Sequence, residues 1–228
     1  MFKEHNIFMK ILFLFALSFV LYSIFCLFYQ KFRKDLIYVL AIGGAVNSNI
    51  FNINDFPIYI GNLIFGVDSI LYTLFVFCII FVYFHYGKKE AQSLTYTSIA
   101  SIFVGAIIQF VAYWASYGFG NELVITFTSF LISIVATIVA INLTIMFLEK
   151  FKNLNKFVLC ALSIVFASII NSTIYFSLVS IFSNLGENFA RSLLGSYIGK
   201  LIALIFSVIC FIIIDFIEKK AKNTNTNS

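Results

Sequence analysis

The chain is a succession of apolar runs, each close to the length a helix needs to cross a bilayer, joined by connections too short to hold a soluble domain. A spanning helix takes about 20 mostly apolar residues, and seven runs approach or exceed that length: approximately residues 7–29, 36–51, 62–86, 94–116, 121–148, 157–183 and 190–217. Strands of a membrane barrel are about 10 residues long and alternate polar with apolar. These runs are continuous, so they predict helices. Composition agrees, with 61% of residues hydrophobic and 11% charged, against about 25% charged in soluble domains. The expected fold is an all-α polytopic transmembrane helical bundle of about seven spans, a six-span core with a peripheral N-terminal helix. It forms one integral membrane domain over residues 1–228, with a core at about 36–217 and a short polar tail at 218–228.

The net charge of +5 is distributed as a membrane protein distributes it, which argues against nucleic acid as a partner. Lys31, Arg33, Lys34 and Asp35 carry +2 together, Lys88, Lys89 and Glu90 carry +1, Glu149, Lys150, Lys152 and Lys156 carry +2, and the tail is basic. Between them stand Asp55, Glu122 and Glu187, each alone. By the positive-inside rule the first, third and fifth connections and the C-terminus are cytoplasmic in a multi-pass protein of the cell membrane. The N-terminus is then outside. Lys3 and Lys10 weigh against that, and a six-span alternative, in which the first run does not cross, puts the N-terminus inside.

The apolar stretch from Ile11 to Phe28 exceeds a signal-peptide core of about 7–15 residues and no small-x-small site follows it. It reads as a retained, lipid-facing helix. Cys26, Cys78, Cys160 and Cys210 stand singly in apolar runs, without the paired spacing of zinc or redox sites, and read as small hydrophobes. His5 and His85 have no second ligand at useful spacing. No metal or cofactor is expected.

Helices in lipid gather small residues where they touch. Ser98, Ser101, Gly105, Gln109, Ala112 and Ser116 follow steps of three and four, as do Thr126, Ser129, Ser133, Ala136, Ala140 and Thr144. Ser168, Asn171, Ser172 and Tyr175 share one helix face. In the last run Gly195 and Gly199 form a G-x-x-x-G contact beside a polar row of Ser192, Ser196 and Lys200. Hydroxyls can bond their own helix carbonyls, so most of this reads as packing seam. Amides and charges at membrane depth need partners from elsewhere and mark pathways or ligands. Lys200 lies about 15 Å into its run at 1.5 Å per residue, and Asp68 enters from the same outer side. Gln109 and Asn47 fall on that outer side as well, Asn171 near the middle of its run and Arg191 at the outer mouth. These six are the candidate substrate-binding residues. The alternative is a mutual Asp68–Lys200 salt bridge that only fixes helix register. The amide-rich stretch from Asn47 to Asn62 reads either as a lid or as an interfacial loop stopped by Pro57 and Gly61, and Tyr113, Trp114 and Tyr117 as an interfacial aromatic belt.

Leu63-Ile-Phe-Gly-Val-Asp68-Ser-Ile-Leu, Ser168-Ile-Ile-Asn171-Ser-Thr173 and Gly195-Ser-Tyr-Ile-Gly-Lys200-Leu-Ile-Ala203 resemble, in order and spacing, motifs of the vitamin-uptake and queuosine-precursor transporter family. The similarity spans about residues 36–217. Its fold, by the same resemblance, recurs in vitamin uptake-like sensor domains and, distantly, in the substrate-binding subunits of energy-coupling-factor transporters. The resemblance implies that Asp68, Asn171 and Lys200 recognise a small heterocycle. From Ser69 to Thr73 this chain has no charge where the family often carries a basic residue, which gives weight to a sensing role.

No nucleophile elbow, H-E-x-x-H, P-loop or paired intramembrane acid is present, so the chain does not read as an enzyme. Without a nucleotide-binding loop, uptake would be ion-coupled, facilitated, or driven by a separate energising protein. The expected function is binding of a small vitamin-like or nucleobase-like molecule from outside for uptake. The alternatives are a ligand-sensing module acting through a cytoplasmic signalling partner, and a structural or accessory membrane subunit. Lipid and a small-molecule ligand are the expected partners.

Overall fold

A computed structural model describes residues 2–53, 57–60, 62–118, 120–182 and 188–226. Asp55 and Glu187, part of the charge argument, lie outside the described residues, as do the side chains of Lys3, His5, Lys31, Glu122 and Thr126. The elements in chain order are α1 (Phe2–Ile53), β1 (Pro57–Ile60), β2 (Leu63–Gly66), α2 (Asp68–Tyr86), α3 (Lys88–Tyr117), α4 (Asn121–Lys150), α5 (Lys156–Phe182) and α6 (Asn188–Thr226). Helix α1 breaks at Arg33, where φ is 41° and ψ is −115°, and the break folds it into two limbs. Counted so, there are seven helices among the described residues, and six segments of these are long and apolar enough to cross a membrane: Met9–Tyr29, Asp68–Tyr86, Lys88–Ser116, Phe127–Lys150, Lys156–Phe182 and Phe189–Lys220. The limb after Arg33 is not one of the six.

Helix α2 is the axis of the bundle. Its side chains from Ser69 to Val82, Leu71 excepted, are buried, which is why the segment is apolar on every side rather than along one stripe. Around it the first limb of α1 runs parallel, with Tyr22 and Phe25 against Phe77 and Tyr29 against Phe81. The second limb returns antiparallel: Tyr38 reaches Glu90 beyond the end of α2, whereas a Cβ on Gly44 would lie 3.0 Å from the Leu71 carbonyl oxygen. The first limb is peripheral, as its sequence predicts. Leu14, Ser18, Tyr22, Phe25 and Tyr29 are buried along one face, while Phe13, Phe19, Leu27 and Phe28 are exposed to the surroundings.

The charged connections meet at one end of the bundle. Lys34 pairs with Glu90 at 2.8 Å and Lys88 with Glu149 at 3.4 Å, and Lys156 and Lys219 both pair with Asp215. These contacts join the first connection to the third, the third to the fifth, and the fifth to the C-terminal part of α6. The positive-inside reading requires those four segments to share a side, and they do share an end.

The stretch from Asn47 to Asn62 differs from its expectation. Helix continues to Ile53, and residues 57–66 form an antiparallel hairpin with Ile60 opposite Leu63 and Pro57 opposite Gly66. The hairpin is seated in the bundle: its Phe65 is buried with Leu14, Ile70 and Ala203, and a Cβ on Gly195 would fall 1.9 Å from the Ile64 carbonyl oxygen. It is therefore a wedge between α1 and α6, and an exception to an otherwise all-helical fold. The predicted G-x-x-x-G seam is real, with Gly195 against the hairpin and Gly199 against Ser69, whose Cβ would be 3.1 Å away.

Candidate functional site

Several buried hydroxyls in the helices are satisfied locally. Ser18, Thr73, Thr95, Thr144 and Ser207 donate to the carbonyl four residues back at 2.7–2.9 Å, the usual back-bond of Ser and Thr in helices. A different arrangement holds where α2, α4, α5 and α6 converge. There Lys200 Nζ donates to Asn171 Oδ1 at 3.0 Å and to Ser172 Oγ at 2.6 Å, and sits 4.4 Å from the centre of the Tyr72 ring. Ser196 Oγ is 3.1 Å from Ser172 Oγ and accepts from Ser69 at 3.4 Å, while Asn171 Nδ2 donates to Thr137 at 3.4 Å. Four helices are thus stitched by one polar network at a level where each is otherwise apolar. Lys200 is 4% exposed, so burial of its charge is offset by two hydrogen bonds and an aromatic face.

Helix geometry explains why these residues meet. Asn171 and Ser172 are consecutive and Thr137 stands on the facing helix, while Ser196 and Lys200 are one turn apart and point the same way. Side chains lean toward the helix N-terminus, so the Lys200 ammonium is carried to the level of Ser196, toward the end from which α2 also begins.

Beside the network is a cavity lined by Ser48, Asp68, Tyr72, Ser133, Thr137, Asn171, Ser172, Tyr175, Phe176, Ser196 and Lys200. It opens at one side, and its enclosed part has room for about one water molecule. Asp68 occupies the first turn of α2. Its Oδ1 stands 1.7 Å from where a Cβ on Gly66 would be, so the carboxylate folds back over a glycine that leaves it room. The carboxylate lies within the field of the Lys200 charge. Among the described residues, no lysine nitrogen lies within 4.0 Å of it.

Three of the six candidate residues, Asp68, Asn171 and Lys200, therefore share one cavity, but the mutual salt bridge between Asp68 and Lys200 is absent. The other three are elsewhere. Asn47 is exposed and bonds Gly43 O of its own helix at 2.8 Å, because the inward positions of that limb are Ser48 and Asn49. Gln109 belongs to α3, which contributes nothing to the cavity lining, and its Oε1 is buried without a hydrogen-bond partner. Arg191 is exposed near the start of α6, outside the lining. No family model, curated protein or solved structure matches the chain.

Several residues of the site were not among the candidates. Ser172, Ser196, Tyr175 and Ser133 were legible only as seam residues, and Tyr72, Thr137, Ser48 and Phe176 gave no distinguishing signal. Ser133 donates to Asn49 Oδ1 at 2.5 Å, bringing the second limb of α1 to the cavity's edge. The cysteines also depart from expectation, since Cys26 and Cys210 are not solitary: their sulfurs are 3.1 Å apart.

Proposed function

We propose that this multi-pass membrane protein binds a small vitamin-like or nucleobase-like molecule in the cavity between α2, α4, α5 and α6, from the end opposite the basic connections, for uptake across the cell membrane. The observation that carries the reading is that Asp68 and Lys200 line one cavity without pairing. Lys200 is met by Asn171, Ser172 and Tyr72, whereas Asp68 has no side-chain partner, and a carboxylate so placed at membrane depth is costly unless a ligand completes it.

The hydrogen-bond inventory gives the ligand a chemistry. Lys200 already donates to two oxygens and faces a ring, whereas the Asp68 carboxylate retains acceptor capacity toward the void. A ligand rich in N–H donors completes Asp68. A flat ring packs against Tyr72, Tyr175 and Phe176, entering as these side chains part, because the enclosed space itself holds about one water molecule. The resemblance of the three motifs to the vitamin-uptake and queuosine-precursor transporter family supports the same class of heterocycle.

Sensing through a cytoplasmic partner is the second reading. Helix α6, which carries Lys200, continues to Thr226 beyond the charged end of the bundle, where a partner could read its movement. The test is a thermal-shift screen of the purified protein against vitamins, purines and deazapurines. A saturable rise in melting temperature with N–H-rich heterocycles supports binding, and uptake of the hit into intact cells then separates transport from sensing. No shift with any compound, together with unchanged stability when Asp68 and Lys200 are both made apolar, selects the accessory-subunit reading.

A further inference from the structure

We propose that Cys26 and Cys210 are an oxidisable pair, a site at which the first limb of α1 becomes covalently fastened to α6. Their sulfurs are 3.1 Å apart, about 1 Å from the bonding distance of a disulfide. The two residues are 184 positions apart in the chain, so their meeting is a property of the fold.

The surroundings hold the two thiols in register. One turn before them, Ser207 Oγ and the Tyr22 hydroxyl are 2.6 Å apart, and beyond them the Tyr29 hydroxyl, one turn after Cys26, donates at 2.7 Å to Glu218, about two turns after Cys210. Cys210 Sγ also approaches the Tyr22 carbonyl at 3.9 Å. Two parallel helices are thus clasped at three points, and the middle clasp is the one of the three that can become covalent.

Access selects the class of oxidant. Cys210 is buried and Cys26 half-buried, beside Ile24, Leu27 and Phe28, which are exposed on the apolar outer face of the limb. An apolar two-electron acceptor of the quinone or diazene class reaches such a position from lipid, whereas a charged oxidant does not. In the reaction each thiol loses its proton, each sulfur gives up one electron, and one S–S bond forms. The acceptor takes both protons and both electrons, a diazene becoming a hydrazine.

The pair sits where a latch has an effect. The span Met9–Tyr29 lies largely outside the bundle's interior, so this limb is among the least anchored, while α6 carries the cavity's lysine. Oxidation converts a peripheral limb into a fixed wall beside α6. The proposal stands or falls independently of what the cavity binds.

The experiment treats the purified full-length protein with diamide, counts thiols after denaturation by maleimide-polyethylene glycol gel shift, and maps the unreduced peptides. The wild type is expected to fall from four free thiols to two, with one cross-linked peptide joining Cys26 to Cys210, reversal by dithiothreitol, and a higher melting temperature when oxidised. Cys26→Ser and Cys210→Ser each retain all three of their thiols. A Cys78→Ser/Cys160→Ser variant, which keeps the native pair, loses both of its thiols, so the test survives misfolding of the single variants. Survival of all four wild-type thiols, loss of Cys78 or Cys160 instead, or cross-linking between chains overturns the proposal.

Discussion

Lys200 and Asp68 behave differently although each is a lone charge in an apolar run. Lys200 is internally answered by Asn171, Ser172 and Tyr72, so part of its role is to tie α5 to α6. Asp68 feels the Lys200 charge only at a distance and faces the cavity without a side-chain hydrogen bond. Asp68→Asn therefore leaves the fold in place and weakens the ligand found by screening. A hydrogen bond to a charged group contributes about 1.5–3 kcal/mol, which corresponds to roughly a 10- to 150-fold rise in dissociation constant, measurable by equilibrium binding. Binding that is unchanged in Asp68→Asn removes the carboxylate from the site. Lys200, Asp68 and Asn171 were legible because polarity at membrane depth is rare enough to stand out. Asn47 was misplaced because successive helix residues point about 100° apart, so an error of one position exchanges Asn47 for Ser48. Gln109 and Arg191 share the outer half with the site but not its helix faces, and depth alone cannot distinguish them.

At the scale of elements, the seam between α6 and the hairpin fixes the helix that bears Lys200. A Cβ on Gly195 would stand 1.9 Å from the Ile64 carbonyl oxygen and 2.6 Å from its carbonyl carbon, and neither is the tip of a flexible side chain. Gly195→Ala is expected to lower stability by about 1–3 kcal/mol, the usual cost of overpacking, and to weaken ligand binding as α6 moves off the wedge. Gly43 offers the control, with nothing within 4 Å of its Cβ position. Gly43→Ala should be neutral or stabilising by up to about 1 kcal/mol, since alanine is the better helix former. Thermal melts of the two variants in one detergent check both. The helices were legible in the sequence because lipid demands long apolar runs. The hairpin was hidden inside the start of the third such run, although Gly61-Asn62 between Ile-Tyr-Ile and Leu-Ile-Phe has the form of a two-residue hairpin turn. The break of α1 at Arg33 was legible, because the charged residues Arg33, Lys34 and Asp35 separate two apolar runs.

For the whole molecule, the charge distribution and the packing agree on one polarity. Basic connections gather at one end, held by Lys34–Glu90, Lys88–Glu149 and the two lysines on Asp215, and the cavity belongs to the other half. Exposed pairs of this kind contribute about 0–1 kcal/mol each. Lys88→Ala should therefore shift the melting curve little, whereas Asp215→Ala, which removes a 7% exposed carboxylate from two lysines, should lower stability by about 1–3 kcal/mol, as read from thermal melts at low and high salt. Epitope tags after Gly87 and at the C-terminus should be protected or exposed together in oriented vesicles. A tag at Gly120 should behave oppositely.

The account depends most on a wet cavity that opens away from the basic end, and cysteine labelling tests this directly. Ser133 lines the cavity and is only partly buried. In a variant lacking the native cysteines, Ser133→Cys should react with a membrane-impermeant methanethiosulfonate applied from the side opposite the Lys88 turn, and bound ligand should slow that reaction. Reaction only from the Lys88 side, or none from either side, contradicts the account.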